Sequence, residues 1–149
     1  MSAYYTAVNR NKRSMTVNLK SKEGRETIRR LAKTADVLIH NFKTGTMEQW
    51  ELGYESLSRL NPRLIYCSIT GFGETGPLAP LAGYDYIIQA MSGWMSINGT
   101  VDTGPLKVGV AVTDVFTGLY AAIAVEAALL AREKRGAGKK LISHCLTAP

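Results

Sequence analysis

The alternation of apolar and polar positions predicts strands and helices that follow one another along the first half of the chain. Residues 15–19 alternate in the manner of a half-buried strand, and residues 21–35 place apolar side chains at helical spacing. Two apolar runs, residues 37–39 and 64–69, are typical of buried strands. Strands that alternate with helices favour a parallel sheet. We therefore expect an α/β fold, with a Rossmann-like parallel sheet flanked by helices.

The rest of the pattern predicts further helices around a loop-rich middle. Short helical segments at residues 47–50 and 54–60 precede the second apolar run, and residues 84–91 are also predicted to be helical. Residues 92–106 contain several glycines and a proline, so a loop or an irregular hairpin is expected there. A long helix over residues 115–133 follows.

A glycine-rich segment marks the predicted ligand-binding edge of the sheet. Residues 71–77 contain three glycines and a proline, which sustain neither a helix nor a strand, so a loop is predicted. This loop follows the strand predicted at residues 64–69, and open α/β sheets bind ligands at the carboxyl ends of their strands. Residues 141–149 read like a strand that has been cut short. Either a partner covers the open sheet edges, or the chain is a piece of a longer protein.

Composition is that of an ordinary globular domain. The chain has 149 residues, of which 46% are hydrophobic and 20% charged. The longest apolar segment, residues 119–131, contains Glu126 and is short for a bilayer span, so no membrane association is expected. The first residues lack the apolar stretch of a secretory signal. We expect a cytoplasmic protein, with the mitochondrial matrix as the alternative.

Cysteine and histidine usage argues against metal chemistry. Cys67 and Cys145 lie far apart, and His40 and His144 complete no metal-ligand spacing. We expect two buried or incidental thiols, with no disulfide and no metal.

The positive charge points to a phosphate-bearing ligand. The net charge of +6 is concentrated in residues 10–33 and 132–140. Such clusters are most often solvated faces, but they also bind phosphates or nucleic acid. Because the chain contains no nucleic-acid-binding motif, a small phosphate-rich molecule fits at least as well.

Asp114 is the principal candidate for chemistry. It lies between the apolar run at residues 108–112, predicted as a strand, and the long helix. Backbone N–H groups and the helix dipole at such a junction favour an ionised carboxylate, which could act as a nucleophile. Aspartate at a helix start is more often a cap. The local pattern leaves both interpretations open.

The chain resembles the class III CoA-transferase family, the group of formyl-CoA transferase and the CaiB–BaiF proteins. The resemblance extends from about Tyr4 to Lys140 and includes several motifs in the order and spacing of the family. Within the family it is nearest to transferases of the succinyl-CoA:glutarate type. The segments that carry it are AVNRNKRSMTVNLKSKEGRE, ADVLIHNFKTGTMEQWELGYESLSRLNPRLIYCSITGFGETGP, AGYDYIIQAMSGW and GVAVTDVFTGLYAAIAVEAALLAREKRGAGK.

The resemblance implies a mechanism and an assembly. Asp114 matches the aspartate that forms a mixed anhydride and then an aspartyl-CoA thioester, so that CoA moves from an acyl-CoA to a carboxylic acid. CoA is then a substrate, and no cofactor is bound permanently. Residues 1–149 would form an incomplete large domain with both flanks missing. The full-length protein would be an interlocked homodimer that binds neither nucleic acid nor membranes.

The resemblance also implies the residues that bind CoA, which fall in three segments. Two departures from the family pattern lie near the second segment: Gln49 replaces a common arginine, and Thr44 replaces a common proline. The matching residues are Val17, Asn18, Leu19 and Lys20; Asn41, Phe42 and Lys43; and Ala82, Gly83, Tyr84 and Asp85.

Two other functions remain as alternatives. The α-methylacyl-CoA racemases share the fold but carry a histidine where this chain has Tyr84, and a phenol is a poor replacement for an imidazole base. A non-catalytic basic nucleotide-binding module would bind in a steeply salt-dependent way that survives the loss of Asp114.

Overall fold

The computed structural model describes residues 3–147 of the chain. The elements alternate between helices and short strands, and a long helix precedes the last strand. In chain order they are α1 (Ala3–Val8), α2 (Lys22–Ala32), β1 (Val37–His40), α3 (Thr46–Gln49), α4 (Tyr54–Leu60), β2 (Ile65–Thr70), α5 (Asp85–Met91), α6 (Trp94–Ile97), α7 (Val112–Arg135), β3 (Lys140–His144) and a 3₁₀ turn (Cys145–Thr147).

The three strands form one parallel sheet in the order β1-β2-β3. Val37 is paired with Ile65, and Tyr66 with Lys140. The central strand β2 is buried along most of its length, as expected for a parallel strand covered on both faces. The predicted α/β fold, with a parallel sheet flanked by helices, is confirmed.

Alternate residues of β2 pack into two separate apolar clusters, because successive strand side chains point to opposite faces. Tyr66 faces a cluster built by α2, α3, α4 and the loops between them, whereas Ile65 and Cys67 face α7. The first cluster contains Ala32, Met47, Leu52, Leu57, Leu64 and Tyr66, and the second contains Ile65, Cys67, Ala121, Val125 and Ala128.

A buried arginine fixes the carboxyl-terminal end of α7 to the sheet. The Arg132 guanidinium donates from Nη2 to Asp36 Oδ1 at 2.8 Å and from Nη1 to the Arg63 carbonyl oxygen at 3.0 Å. Asp36 immediately precedes β1, and Arg63 lies two residues before the start of β2. Gly136, with φ of 74°, then ends the helix in the left-handed conformation that favours glycine.

Most predicted helices are confirmed, with shifted ends. The helix predicted at residues 21–35 is α2, capped by Ser21, whose Oγ accepts the Gly24 N–H at 3.0 Å. The long helix begins at Val112 and extends to Arg135, beyond both predicted ends. The segment 141–149, read as a truncated strand, contributes to β3.

Two predicted strands are wrong. Residues 15–19 form no strand; Asn18 Oδ1 accepts the Lys20 N–H at 3.0 Å, and this local turn replaces pairing with a neighbour. Residues 108–112 also form no strand: the Val108 N–H bonds to the Gln89 side chain, and the Val112 N–H closes a tight turn onto the Val110 carbonyl oxygen at 2.8 Å, immediately before the first helical bond, from Val115 to Ala111. The loop predicted at residues 92–106 contains the short helix α6, whose four residues give too little pattern to detect.

Helix α7 is longer than the helix that the sequence pattern predicts. By length and composition alone it could cross a membrane. One face packs on β2 and β3, whereas Leu119, Ile123 and Leu130 are exposed on the other. Core helices of globular proteins meet the same length criterion. The expected absence of membrane association stays a prediction.

Candidate functional site

A cavity of about 600 Å³ lies where the sheet pattern predicts a ligand site, at the carboxyl ends of the strands. Its walls come from the ends of β1 and β2, the segment before α5, the first turns of α7 and the turn after β3. The lining residues are Ile39, His40, Asn41, Phe42, Lys43, Thr44, Ile69, Thr70, Gly71, Leu81, Ala82, Gly83, Tyr84, Asp85, Asp114, Thr117, Gly118 and Cys145.

Asp114 is the third residue of α7 and lines this cavity with an exposed side chain. Partial burial raises the pKa of its carboxyl group, and the nearby charge of Asp85 raises it further. A hydrogen bond from Cys145 acts in the opposite direction. The expectation that the helix terminus would favour the ionised form is therefore wrong in direction. The physical reason is that another carboxylate takes the helix N–H groups.

Asp85 is that carboxylate. Its Oδ1 accepts the Thr113 N–H at 2.9 Å, the Thr113 hydroxyl at 2.6 Å and the Asp114 N–H at 3.3 Å. Asp85 therefore caps α7 from outside the helix, and the capping interpretation of Asp114 is wrong. Burial of Asp85 raises its pKa, but the hydrogen bonds from Thr113, Gln89 and Asp114 outweigh burial and hold the pKa below its ordinary value.

Gln89 extends this network to the loop before α7. Its Nε2 donates to Asp85 Oδ2 at 2.6 Å and to the Val110 carbonyl oxygen at 3.3 Å, and its Oε1 accepts the Val108 N–H at 2.8 Å. Both Asp85 oxygens are thus occupied by protein donors. Although Asp85 lines the cavity, its contacts are those of a residue that orients the start of α7.

Two glycines hold the segment before α5 against the end of β2. A Cβ atom built on Gly83 would lie 2.2 Å from the Gly71 Cα, and one built on Gly71 would lie 2.3 Å from the Gly83 Cα. Only glycine permits this backbone contact. It fixes the path of residues 82–85 along the cavity wall. The adjoining Tyr84 is 70% exposed, so core packing does not explain its position.

The glycine-rich loop is also tied to its surroundings by side chains. Thr44, which departs from the family pattern, has its hydroxyl 3.4 Å from the Gly73 carbonyl oxygen, and the Gly73 N–H bonds to the Thr70 hydroxyl at 2.8 Å. Glu74 forms an ion pair with Lys140 of β3. These contacts link the loop to β2, to β3 and to the segment after β1.

Residues 41–43 form another part of the cavity wall. The His40 Nδ1 accepts the Phe42 N–H at 3.3 Å, and the rings of Phe42 and Trp50 meet edge to face with centroids 5.2 Å apart. Burial lowers the pKa of His40, consistent with a neutral imidazole that accepts this hydrogen bond. The exposed Lys43 places a cation at the cavity wall.

The first predicted binding segment lies elsewhere. Val17, Asn18, Leu19 and Lys20 do not line the cavity; they lead into α2 through the Asn18 turn. The expected position at a strand end fails because no strand forms there. Leu19 packs on the same apolar cluster as Trp50, which in turn touches Phe42.

The structure brings together Asn41, Phe42, Lys43, Ala82, Gly83, Tyr84, Asp85 and Asp114, and adds a residue that sequence reasoning missed. The Cys145 Sγ lies 3.7 Å from Asp114 Oδ1. These residues are 31 positions apart, so no local spacing reveals the contact.

Across residues 3–147, no group of three or more histidine, cysteine or acidic side chains could hold a metal. Cys67 and Cys145 are both free thiols.

Comparisons with known proteins show which proteins this chain resembles. The sequence model of CoA-transferase family III matches residues 1–146. Succinate–glutarate CoA-transferase from Agrobacterium fabrum is 56% identical over 94% of this chain, and human succinyl-CoA:glutarate CoA-transferase is 46% identical over 92%. The crystal structure of a CaiB/BaiF family protein from Brucella suis superposes with a TM-score of 0.94 at 50% identity, covering 99% of this chain and 39% of that one.

The chain spans about a third of the length of the curated relatives it matches, 35% of the Agrobacterium protein and 31% of the human one.

Proposed function

This chain belongs to CoA-transferase family III, and from that premise we propose that the protein containing it moves CoA from an acyl-CoA to a carboxylic acid, with Asp114 as the nucleophile. Family membership confirms the resemblance drawn from the motifs. The aspartyl mechanism and the identity of the substrates are proposals.

The proposed reaction has four balanced steps. An Asp114 carboxylate oxygen attacks the thioester carbonyl, the C–S bond breaks, and CoA thiolate leaves a mixed anhydride. The thiolate then attacks the aspartyl carbonyl and releases the donor acid, forming an aspartyl-CoA thioester. The acceptor carboxylate displaces CoA in the same way to give a second anhydride. CoA finally attacks the acyl carbonyl of that anhydride, which yields the new acyl-CoA and frees Asp114.

The observation that carries the proposal is that two neighbouring carboxylates have different roles: one caps helix α7, and the other lines the cavity. Asp85 accepts the helix N–H groups, so Asp114 is not used as a cap and reaches the cavity. Because its pKa is raised, the ionised Asp114 carboxylate is more basic than an ordinary aspartate, and hence a stronger nucleophile.

The cavity walls support a CoA site. We propose that residues 41–43 and 82–84 contact the acyl-pantetheine end, with Lys43 close to the reacting groups. Val17, Asn18, Leu19 and Lys20 are proposed to contact the nucleotide end, since Leu19 and Phe42 both adjoin Trp50. The names of the relatives favour dicarboxylic acids such as succinate and glutarate as the acyl groups. An interlocked homodimer and a cytoplasmic or matrix location belong to the same proposal.

The test is to trap the anhydride or thioester on the protein expressed from the complete reading frame that contains this chain. Incubation with succinyl-CoA and hydroxylamine is expected to give a hydroxamate at Asp114, located by mass spectrometry. Asp114→Asn should abolish transfer and leave CoA binding within about threefold, because only the nucleophile is lost. Asp102→Asn removes a carboxylate from an exposed loop and should leave both unchanged.

Three outcomes would contradict the proposal. A hydroxamate at another residue would reassign the nucleophile. Exchange of the α-proton without transfer would favour the racemase alternative. Polynucleotide binding that is steeply salt-dependent and unaffected by Asp114→Asn would favour a binding module.

A further inference from the structure

Cys145 occupies a position that the proposed reaction does not yet use. It is the first residue after β3, is only 4% exposed, and lines the cavity beside Asp114. Both α5 and α7 pack against the turn that carries it. The thiol is therefore held by the same elements that hold the two carboxylates.

The contact has the geometry of a thiol donor and a carboxylate acceptor. The Sγ atom lies 3.7 Å from Asp114 Oδ1, and an ionised carboxylate can only accept. Burial raises the pKa of the Cys145 thiol; a hydrogen bond with Thr117 acts against this, but the hydrogen bond to Asp114 and the charges of Asp114 and Asp85 also raise the pKa, which stays above its ordinary value. Such a thiol stays protonated and is a poor nucleophile of its own. Its S–H group is available to donate.

The two oxygens of Asp114 are consequently unequal. Oδ1 accepts the thiol, whereas Oδ2 has no hydrogen bond among residues 3–147. Resting on the proposed function, we infer that Cys145 is a positioning residue: its thiol fixes the rotation of the Asp114 carboxylate and presents Oδ2 to the thioester carbonyl. The thiol forms no covalent bond in this role. It acts only through Asp114.

Substitution of Cys145 should alter the chemistry more than the binding. In the complete protein, Cys145→Ala should slow acylation of Asp114 about tenfold in single-turnover experiments, in line with the loss of one modest hydrogen bond. Affinity for CoA should change by less than about twofold. Because the thiol stabilises the charged carboxylate, its removal should also move the acid limb of the acylation pH profile to higher pH.

Two variants separate positioning from packing. Cys145→Ser retains a donor and should restore most of the acylation rate and the pH profile. Cys67→Ala removes a buried thiol on β2 that packs against α7 but does not line the cavity. That variant is expected to lose stability with an unchanged pH profile. A pH profile for Cys145→Ala that matches the unsubstituted protein would overturn the inference.

A spectroscopic measurement covers the case in which Cys145→Ala fails to fold. The variant Asp114→Ala removes the acceptor of the Cys145 thiol, and because the Asp114 side chain is exposed, this variant should fold. The infrared S–H stretch of Cys145 should then move toward that of a free thiol. An unchanged S–H band would overturn the inference, even if the hydroxamate forms at Asp114. Transfer that survives Asp114→Asn would overturn the proposed function itself and the role of Cys145 with it.

Discussion

The backbone N–H of Asp114 donates to Asp85 Oδ1 at 3.3 Å, so the Asp85 carboxylate caps the helical turn that carries Asp114. The capping residue is 29 positions earlier in the chain and comes from the start of α5. Its charge raises the pKa of Asp114, and its hydrogen bonds fix the first turn of α7. The same residue therefore affects both the placement and the basicity of the proposed nucleophile.

Asp85→Asn should separate these two effects. Loss of the Asp85 charge lowers the pKa of Asp114, so the acid limb of the acylation pH profile should move to lower pH. Asparagine keeps one acceptor for the helix N–H groups, but its amide faces the Gln89 Nε2 donor. A loss of about 1 kcal/mol in the free energy of unfolding is expected from urea titration. A shift of the limb to higher pH would contradict this assignment.

The pH dependence of stability should also report on Asp85. Its pKa in the folded protein is below the ordinary value of 3.8. Its contribution to stability is therefore complete above that value and is lost as the pH falls through the lower, folded pKa. The free energy of unfolding should fall more steeply below about pH 4 in the unsubstituted protein than in Asp85→Asn. If the stability curves of the two proteins run parallel with pH, Asp85 has the same pKa in the folded and the unfolded protein.

Arg132→Met should destabilise the fold without changing the site. Methionine keeps much of the side-chain volume but leaves the Asp36 carboxylate and the Arg63 carbonyl oxygen without their donor. Because the Asp36 side chain is exposed to water, the main cost is the unpaired Arg63 carbonyl oxygen, and we expect a loss of about 1–2 kcal/mol in the free energy of unfolding. Arg135→Met, three residues later and exposed, is the matched control and should cost less than about 0.5 kcal/mol. Equal losses in the two variants would show that the buried contacts contribute nothing.

Gly83→Ala should disturb the cavity wall. Its methyl group would lie 2.2 Å from the Gly71 Cα, so the backbone of residues 82–85 must move. We expect a loss of about 1–3 kcal/mol in stability and at least a tenfold weaker affinity for CoA by calorimetry. Gly109→Ala is the control, because a Cβ there has no atom within 4 Å. Unchanged CoA affinity in Gly83→Ala would place the binding site away from this wall.

Lys20→Ala tests the one predicted binding segment that lies outside the cavity. If Lys20 meets a CoA phosphate, affinity for CoA should fall several-fold at low ionic strength, and the loss should shrink as salt screens the contact. Lys33→Ala, at the other end of α2, removes an exposed lysine and should have no effect. Equal affinities for the two variants would remove residues 17–20 from the proposed site.

Sequence reasoning found the parts of the fold that local pattern determines. The buried run of β2 and the helical spacing of α2 were predicted correctly, because burial and periodicity are written in consecutive residues. The alternation at residues 15–19 was misleading, since a strand needs a neighbour to pair with. At the site, the motif identified Asp114, but the roles of Asp85 and Cys145 arise from tertiary contacts. No spacing rule encodes contacts across 29 or 31 positions.

Helix α7 carries its reactive group and its anchor at opposite ends. Asp114 and Arg132 are 18 positions apart, which corresponds to about 27 Å along a helix that rises 1.5 Å per residue. Substitutions separated by such a distance combine additively. A change that strengthens the guanidinium end could therefore be combined with a change at the proposed nucleophile, and each effect could be measured independently of the other.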